Sequence, residues 1–460
     1  MALGRSHRRC CALLLLGLGL CGPARAQEAG EAAAASEEQP GSLRPRLDLG
    51  LEARASFRHS EANRFPVPFP FRPDQLPPGQ TRAFEETVNP GSHFELAAVT
   101  LLVDAVWGDG LAAHGKVDFI DLYDRNPTST DKKVDVDEAW VRFGVEPDAA
   151  TLAPRSGIYL KIGKFPKFER QDDRHLEGYG LVSTAFNRFE DTGAELGAHL
   201  GRHLYLKLSA TQGNPVFMRD PNALAGDNGT PALLRPNPDP ALHSGVVILY
   251  DAEVEDLDVD GDLEAGAGLG WRFADEAGRN GLDALAWGYR RKLAKTVELE
   301  GTFYGGDLDL LNGPDDAAPL PIKNDDKREV GGNVWLYLGG FSFFGQYVDQ
   351  ELAGLPRTGV EGEVAWRFDL PLVWAVGDRQ LFTSIAPAVR WSKLDNGFGN
   401  HPRTPSPSFA WDWEKIDAGL RLGVFAGVDL TVEYADNRFI LASGAKRENN
   451  EFLATLRWRV

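Results

Sequence analysis

Residues Asp137 to Phe217 read DEAWVRFGVEPDAATLAPRSGIYLKIGKFPKFERQDDRHLEGYGLVSTAFNRFEDTGAELGAHLGRHLYLKLSATQGNPVF. Four segments in it alternate apolar and polar residues. Their apolar faces are Ala139, Val141, Phe143 and Val145; Ile158, Leu160 and Ile162; Ala194, Leu196, Ala198 and Leu200; and Leu204, Leu206, Leu208 and Ala210. A period of two is that of a β-strand. Because a loop at 166–189 separates the second and third segments, the stretch predicts a membrane barrel wall with one loop free to fold into the lumen.

The bulk composition is compatible with such a barrel. The chain has 460 residues, of which 43% are hydrophobic, so it is not of the intrinsically disordered class. Beyond the N-terminus no apolar run is long enough for a spanning helix. A chain of this kind that sits in lipid must therefore be a β-barrel.

The N-terminus predicts a secretory signal peptide over residues 1–26. Arg5, Arg8 and Arg9 precede an apolar run, and an A-x-A cleavage site ends at Ala26. We expect a flexible periplasmic tail over 27–42, which is small, polar and acidic, and an outer-membrane β-barrel over 43–460.

Cysteine content and charge exclude some classes of function. All three cysteines (Cys10, Cys11 and Cys21) lie in the predicted signal peptide, so the mature chain has no disulfide and no cysteine nucleophile. The formal charge is −18, and the signal peptide carries four arginines and no acid, so the mature chain is more acidic still. Nucleic acid is therefore disfavoured as a partner.

Alternating segments continue along the chain and predict about eighteen strands, with sixteen as the alternative. A total of eighteen strands requires residues 245–255 to form a strand. A strand is also expected at residues 296–307. Short connections, such as Gly108–Gly110, Lys292–Lys295 and Ala426–Gly427, alternate with long ones, as in outer-membrane barrels. Aromatic residues near the strand ends predict an interfacial girdle, namely Trp107, Trp271, Phe273, Tyr304, Trp366, Phe368, Trp391, Trp413, Tyr434 and Trp458.

The central stretch resembles the phosphate-selective porin O/P family of outer-membrane porins. The resemblance lies in YLKIGKFPKFERQ (159–171), FNRFEDTGAELGAHLG (186–201) and YLKLSATQGNP (205–215), about a fifth of the chain. It implies a passive channel for small, often anionic solutes, usually a homotrimer, with basic residues at the constriction. It does not imply selectivity for phosphate.

Nine basic residues are the candidates for the pore lining and constriction, because a pore selects by size and charge at its narrowest section. They are Lys161, Lys164, Lys167, Arg170, Arg174, Arg188, Lys207, Arg54 and Arg142. Acidic residues in the same stretch could neutralise them, namely Glu138, Glu169, Asp172, Asp173, Glu190 and Glu195. Anion preference, weak selectivity and cation preference therefore all stay open.

No catalytic constellation and no complete metal-binding motif is found in the sequence, which predicts a protein that is not an enzyme and needs no cofactor. The expected partners are outer-membrane lipid, lipopolysaccharide and small solutes. Two alternatives to a porin stay open: a substrate-specific transporter of the eighteen-strand alginate-export kind, and a soluble secreted β-rich binding protein.

Overall fold

The computed structural model describes the greater part of the predicted barrel. The described residues are 45–61, 64–66, 84–86, 91–108, 110–119, 134–145, 157–168, 175–178, 180–186, 190–213, 263–275, 279–292, 324–352, 354–371, 375–376, 379–397, 412–425, 427–440, 444 and 446–460. The predicted signal peptide and periplasmic tail lie outside them and remain predictions.

Sixteen long strands form one sheet. They are β1 (Arg46–Ser60), β2 (Gly91–Trp107), β3 (Leu111–Phe119), β4 (Val134–Gly144), β5 (Gly157–Pro166), β6 (Glu190–Leu200), β7 (Leu204–Thr211), β8 (Glu264–Ala274), β9 (Asn280–Lys292), β10 (Asp326–Leu338), β11 (Phe341–Leu352), β12 (Leu355–Trp366), β13 (Phe382–Asn396), β14 (Asp412–Val424), β15 (Val428–Ile440) and β16 (Glu451–Arg459). Two short pieces, Phe368–Asp369 and Lys446–Glu448, add pairs to β13 and β15. A short helix, α1 (Leu181–Ala185), lies between β5 and β6.

The sheet closes on itself. Each strand pairs antiparallel with the next along the chain, and β1 pairs with β16, where Glu52 stands opposite Arg459 and Ser60 opposite Glu451. A closed cylinder leaves no strand edge unpaired, which is what a sheet in lipid requires. The predicted antiparallel β-barrel is confirmed.

The number of strands is sixteen, the lower of the two values that the sequence left open. β7 pairs directly with β8, and β9 pairs directly with β10. The segments 245–255 and 296–307 lie outside the described residues, and the wall closes without either of them. β9 ends at Lys292 and β10 begins at Asp326, and residues 293–295 of the short turn expected at Lys292–Lys295 lie outside the described residues.

Connections at the two ends of the barrel differ in length as expected. One end carries 108–110, 201–203, 275–279, 339–340 and 425–427, together with 145–156 and 367–381. The other end carries 61–90, 120–133, 167–189, 212–263, 293–325, 397–411 and 441–450, with 353–354 as its single short connection. Short turns mark the periplasmic end of an outer-membrane barrel.

The outer face of the wall is apolar. Large hydrophobic side chains stay exposed on it, among them Leu49, Ile158, Leu196, Leu269, Val330, Val364 and Leu456. Rings near the periplasmic ends of the strands, including Phe143, Trp271, Phe273, Trp366, Phe368 and Trp458, are also exposed, as the predicted girdle requires. Trp413 is an exception, because it is 1% exposed and packs inside against Phe439. Tyr304 lies outside the described residues.

The inner face carries the opposite residue types. Charged and polar side chains alternate with the apolar ones and are buried, such as Glu264, Glu361, Arg390 and Asp417. An apolar outside and a polar inside are the arrangement of a transmembrane barrel, and barrels of this kind lie in the bacterial outer membrane. This confirms the predicted location and overturns the alternative of a soluble β-rich protein. Within the described part of the chain, no helix has the length and apolarity needed to cross a membrane.

Candidate functional site: the in-folded loop and the inner wall

The connection between β5 and β6 folds into the lumen. Its described parts, 175–178 and 180–186, contact the inner faces of strands that lie half-way round the cylinder from β5 and β6. Helix α1 lies against β12, β13 and β14. The segment therefore crosses the inside of the barrel and narrows it. We call residues 166–189 the constriction loop.

An apolar contact holds the helical part of this loop against the wall. Leu181, Val182, Ala185 and Phe186 belong to one buried cluster with the inward-facing Val348, Leu394, Trp413 and Phe439. Gly359 of β12 makes room for this contact, since a Cβ there would lie 2.5 Å from the Phe186 ring and 3.1 Å from Val182. The wall is thus shaped to receive the helix.

Charged groups of the wall fix the loop backbone. The Glu433 carboxylate accepts hydrogen bonds from the backbone N–H groups of Glu177 (2.8 Å) and Gly178 (2.5 Å). The Arg390 guanidinium donates to the Gly178 carbonyl at 2.5 Å. Arg357 donates to the Ala185 carbonyl at 3.1 Å. Because ionised partners form the stronger hydrogen bonds, these contacts hold the loop firmly in place.

Behind these contacts lies a buried network of charges. Arg390 bonds Asp417 at 2.9 Å and stands 3.6 Å from Glu363, while Lys415 bonds Asp417 at 2.8 Å. Arg390, Lys415 and Asp417 are fully buried. Sequence reasoning missed this network. In the sequence, these charged residues fall on the polar faces of β12, β13 and β14. The alternation along a single strand does not show that a loop covers the inner face of that strand.

Two of the predicted basic residues, Lys161 and Lys207, share one carboxylate. Their ammonium groups lie 3.8 Å and 3.6 Å from Glu195 Oε1, which also accepts a hydrogen bond from the Tyr159 hydroxyl at 2.7 Å. Lys161 further lies within 6 Å of the rings of Trp140, Tyr159 and Phe165. Its charge is therefore compensated inside the wall by a carboxylate and by aromatic faces.

Lys167 and Lys164 stand in different surroundings. Lys167 is buried, donates to Glu264 and lies 4.5 Å from the Tyr289 ring centroid. Lys164 stands opposite Ala139 and Thr192, so by register it shares the outer face, and it donates to the Val136 carbonyl at 2.6 Å. The structure does not bring Lys164 into the lumen with the other lysines.

On the inner face Arg142 stands directly opposite Lys161, whereas Arg54 lies on β1, away from both. Arg54 approaches Glu52 at 3.4 Å, and Arg142 lies 6.0 Å from the Trp140 ring centroid. Arg170, Arg174 and Arg188, with Glu169, Asp172 and Asp173, lie outside the described residues.

Inward-facing arginines gather at the periplasmic end of β14, β15, β16 and β1, next to the constriction loop. Arg457 stands opposite both Arg54 and Asp429, and Arg459 opposite Glu52. Arg421 bonds Asp429 at 2.7 Å, and Arg457 bonds Glu177 of the loop. Four arginines (54, 421, 457 and 459) thus face three carboxylates (52, 177 and 429), which leaves an excess of positive charge. We call these seven residues the periplasmic arginine cluster.

One group of carboxylates could hold a cation. Ligand oxygens of Asp137, Glu138 and Glu190 all lie within 4.8 Å of one another. The Lys116 ammonium donates to Asp137, so a lysine already supplies positive charge to this group.

No protein-family model matches the sequence, and no curated protein matches it. Among solved structures, the barrel is similar to the outer-membrane channel DcaP of Acinetobacter baumannii, with a TM-score of 0.48 and 10% identity over 91% of this chain and 98% of that one. It is also similar to OmpT of Vibrio cholerae (TM-score 0.45, 12% identity, 90% and 98% covered). A third structure is an anion-selective porin from Comamonas acidovorans (TM-score 0.44, 7% identity, 90% and 100% covered). At these identities the likeness concerns the fold alone.

Proposed function

We propose that this protein is an outer-membrane porin, a passive diffusion channel for small hydrophilic solutes with a modest preference for anions. The observation that carries the proposal is the constriction loop, which crosses a closed barrel and is fixed to the opposite wall by Glu433, Arg390 and Arg357. A fixed loop inside a cylinder sets the cross-section through which a solute passes.

The anion preference is proposed on the periplasmic arginine cluster. Two of its arginines keep clear contact with solvent, at 30% exposure for Arg54 and 48% for Arg459, while Arg421 and Arg457 are 16% and 11% exposed. The side chain of Lys161 is 9% exposed and that of Lys167 is 6%. Guanidinium groups that stay accessible beside a narrow passage lower the electrostatic barrier for an anion. The resemblance to the phosphate-selective porin O/P family agrees with this preference, and selectivity for phosphate itself is not part of the proposal.

A substrate-specific transporter of the alginate-export kind is the less favoured alternative. That interpretation relied on a wall of eighteen strands, and the wall has sixteen. A homotrimer remains a prediction from the family resemblance.

The test is the reversal potential of single channels in a planar bilayer across a tenfold KCl gradient. We expect steady ohmic steps and a potential that indicates chloride preference. In an Arg54→Gln/Arg459→Gln variant the preference should fall towards zero, because two accessible positive charges leave the passage.

Lys161→Gln serves as the matched control, since this lysine is buried and compensated by Glu195. It should change the reversal potential less than the arginine variant does. A channel that stays shut, or one that prefers potassium in the unmodified protein, contradicts the proposal.

A further inference from the structure

Glu177 of the constriction loop contacts the wall in two separate ways. Its backbone N–H donates to the Glu433 carboxylate at 2.8 Å, whereas its own carboxylate bonds the Arg457 guanidinium of β16. The contact of the loop backbone with Glu433 therefore does not depend on the charge of the Glu177 side chain. That charge instead serves the arginines of the wall.

Arg457 has hydrogen-bonding capacity beyond this ion pair. Its Nε lies 3.5 Å from Glu52 Oε1 and makes no hydrogen bond with any residue that the structure describes. Arg54 stands directly opposite Arg457, so two guanidinium groups occupy opposed positions of β1 and β16. Because like charges at such positions destabilise an antiparallel pair, an anion beside them lowers this cost.

The wall supplies too few carboxylates for its arginines at this place. Glu52 is shared by three guanidinium groups, at 2.7 Å from Arg459, 3.4 Å from Arg54 and 3.5 Å from Arg457. The other carboxylate of the wall in the periplasmic arginine cluster is Asp429. The third carboxylate comes from the loop, since the Glu177 side chain reaches Arg457 and is 5% exposed there.

We infer that the Arg457 guanidinium is a binding site for the carboxylate group of a small anion, and that Glu177 occupies this site as a tethered competitor. The inference names the solute class for the proposed anion channel and rests on that proposed function. A guanidinium presents its N–H donors in a fixed plane that matches the two oxygens of a carboxylate. The group that bonds Arg457 in this structure is itself a carboxylate.

Tethering explains why such a site suits a channel. A group held on the same chain competes at a high effective concentration, so a free carboxylate binds weakly and leaves quickly. Passage through a channel requires binding that is favourable enough for entry and weak enough for release. Arg54 and Arg459, which stay accessible, lie on the approach to Arg457.

The experiment uses the full barrel in detergent and measures the binding of acetate by saturation-transfer NMR. In Glu177→Gln the side chain keeps its shape and loses its charge, so acetate should bind about tenfold more tightly than to the unmodified protein. Adding Arg457→Gln to this variant should abolish the gain. Methylphosphonate is the second probe, and a gain as large as that of acetate would contradict the preference for a carboxylate.

Asp429→Asn is the matched control, because it removes the same charge from the same cluster at a residue of the wall that pairs with Arg421 and Arg459. It should strengthen acetate binding less than Glu177→Gln does. An equal gain in the two variants overturns the inference, since only the net charge would then matter.

Unheated samples of all variants should keep the fast gel migration of a closed barrel. Loss of that migration in Glu177→Gln also overturns the inference, because the side chain would then be needed for the fold. Acetate binding in detergent requires neither conduction nor a particular ion preference, so channel recordings test the proposed function separately.

Discussion

At the residue scale, the basic side chains inside the barrel differ in how far carboxylates compensate their charge and in how exposed they stay. Lys161 and Lys207 lie near Glu195, and Lys167 bonds Glu264. Arg54 and Arg459 also pair with a carboxylate, that of Glu52, so it is exposure and not pairing that distinguishes them from Lys161 and Lys167. The proposed anion preference therefore depends on the charges that remain accessible.

Glu433 is the residue that fixes the loop backbone most directly, and its removal should loosen the loop. In Glu433→Ala the part-buried N–H of Glu177 and the buried N–H of Gly178 lose their acceptor, and the buried group costs about 1–3 kcal/mol. We expect single-channel conductance to become larger and noisier.

Glu414→Ala is the control for that variant. This carboxylate is on the outer face of the neighbouring strand and accepts a hydrogen bond from the Trp391 indole at 3.1 Å. Its loss should leave the current steady. An unchanged recording from Glu433→Ala would mean that other contacts alone hold the loop.

At the scale of the element, the constriction loop and β12 are complementary. The helix approaches the wall closely because Gly359 has no side chain on the inner face, while Gly362 on the same strand faces outwards. The absence of a side chain at Gly359 leaves room on the inner face of β12, and this room helps to position the loop.

A methyl group at Gly359 should displace the helix. In Gly359→Ala the new Cβ would meet the Phe186 ring at 2.5 Å, so the helix or the ring must shift, at about 1–3 kcal/mol. We expect a changed conductance and faster protease cleavage within the constriction loop.

Gly362→Ala tests whether any alanine in β12 has this effect. Its Cβ would meet only ordinary contacts, the nearest at 3.7 Å, so conductance and cleavage should match those of the unmodified protein. Similar behaviour of the two variants would refute the proposed role of Gly359.

At the scale of the whole molecule, closure decides the number of strands. The chain between β7 and β8 and the chain between β9 and β10 are both long enough to hold a further strand, yet these neighbours pair directly. The barrel closes on sixteen strands because β1 and β16 meet, with the first residues of β1 beside the last residues of β16.

Cysteine crosslinking checks this closure. Ala210 of β7 and Ala265 of β8 stand opposite each other on the outer face. We expect Ala210→Cys/Ala265→Cys to form a disulfide under mild oxidation, because opposed residues of an antiparallel pair lie within disulfide range.

Ala210→Cys/Ala286→Cys is the matched negative control, since Ala286 lies one strand further, on β9. It should stay reduced. Absence of the disulfide in the first variant would show that a strand separates β7 from β8.

The barrel wall follows from the sequence alone. Alternation with a period of two and connections that are long at one end and short at the other predict a transmembrane barrel, because lipid allows only closed sheets or helices. The sequence also indicated which loop enters the lumen. The tertiary structure decided the rest, namely sixteen strands, the inward position of Trp413, and the contact of the loop with Glu433, Arg390 and Gly359. These depend on which strands meet across the cylinder, and alternation along one strand contains no information about a neighbour half-way round the barrel.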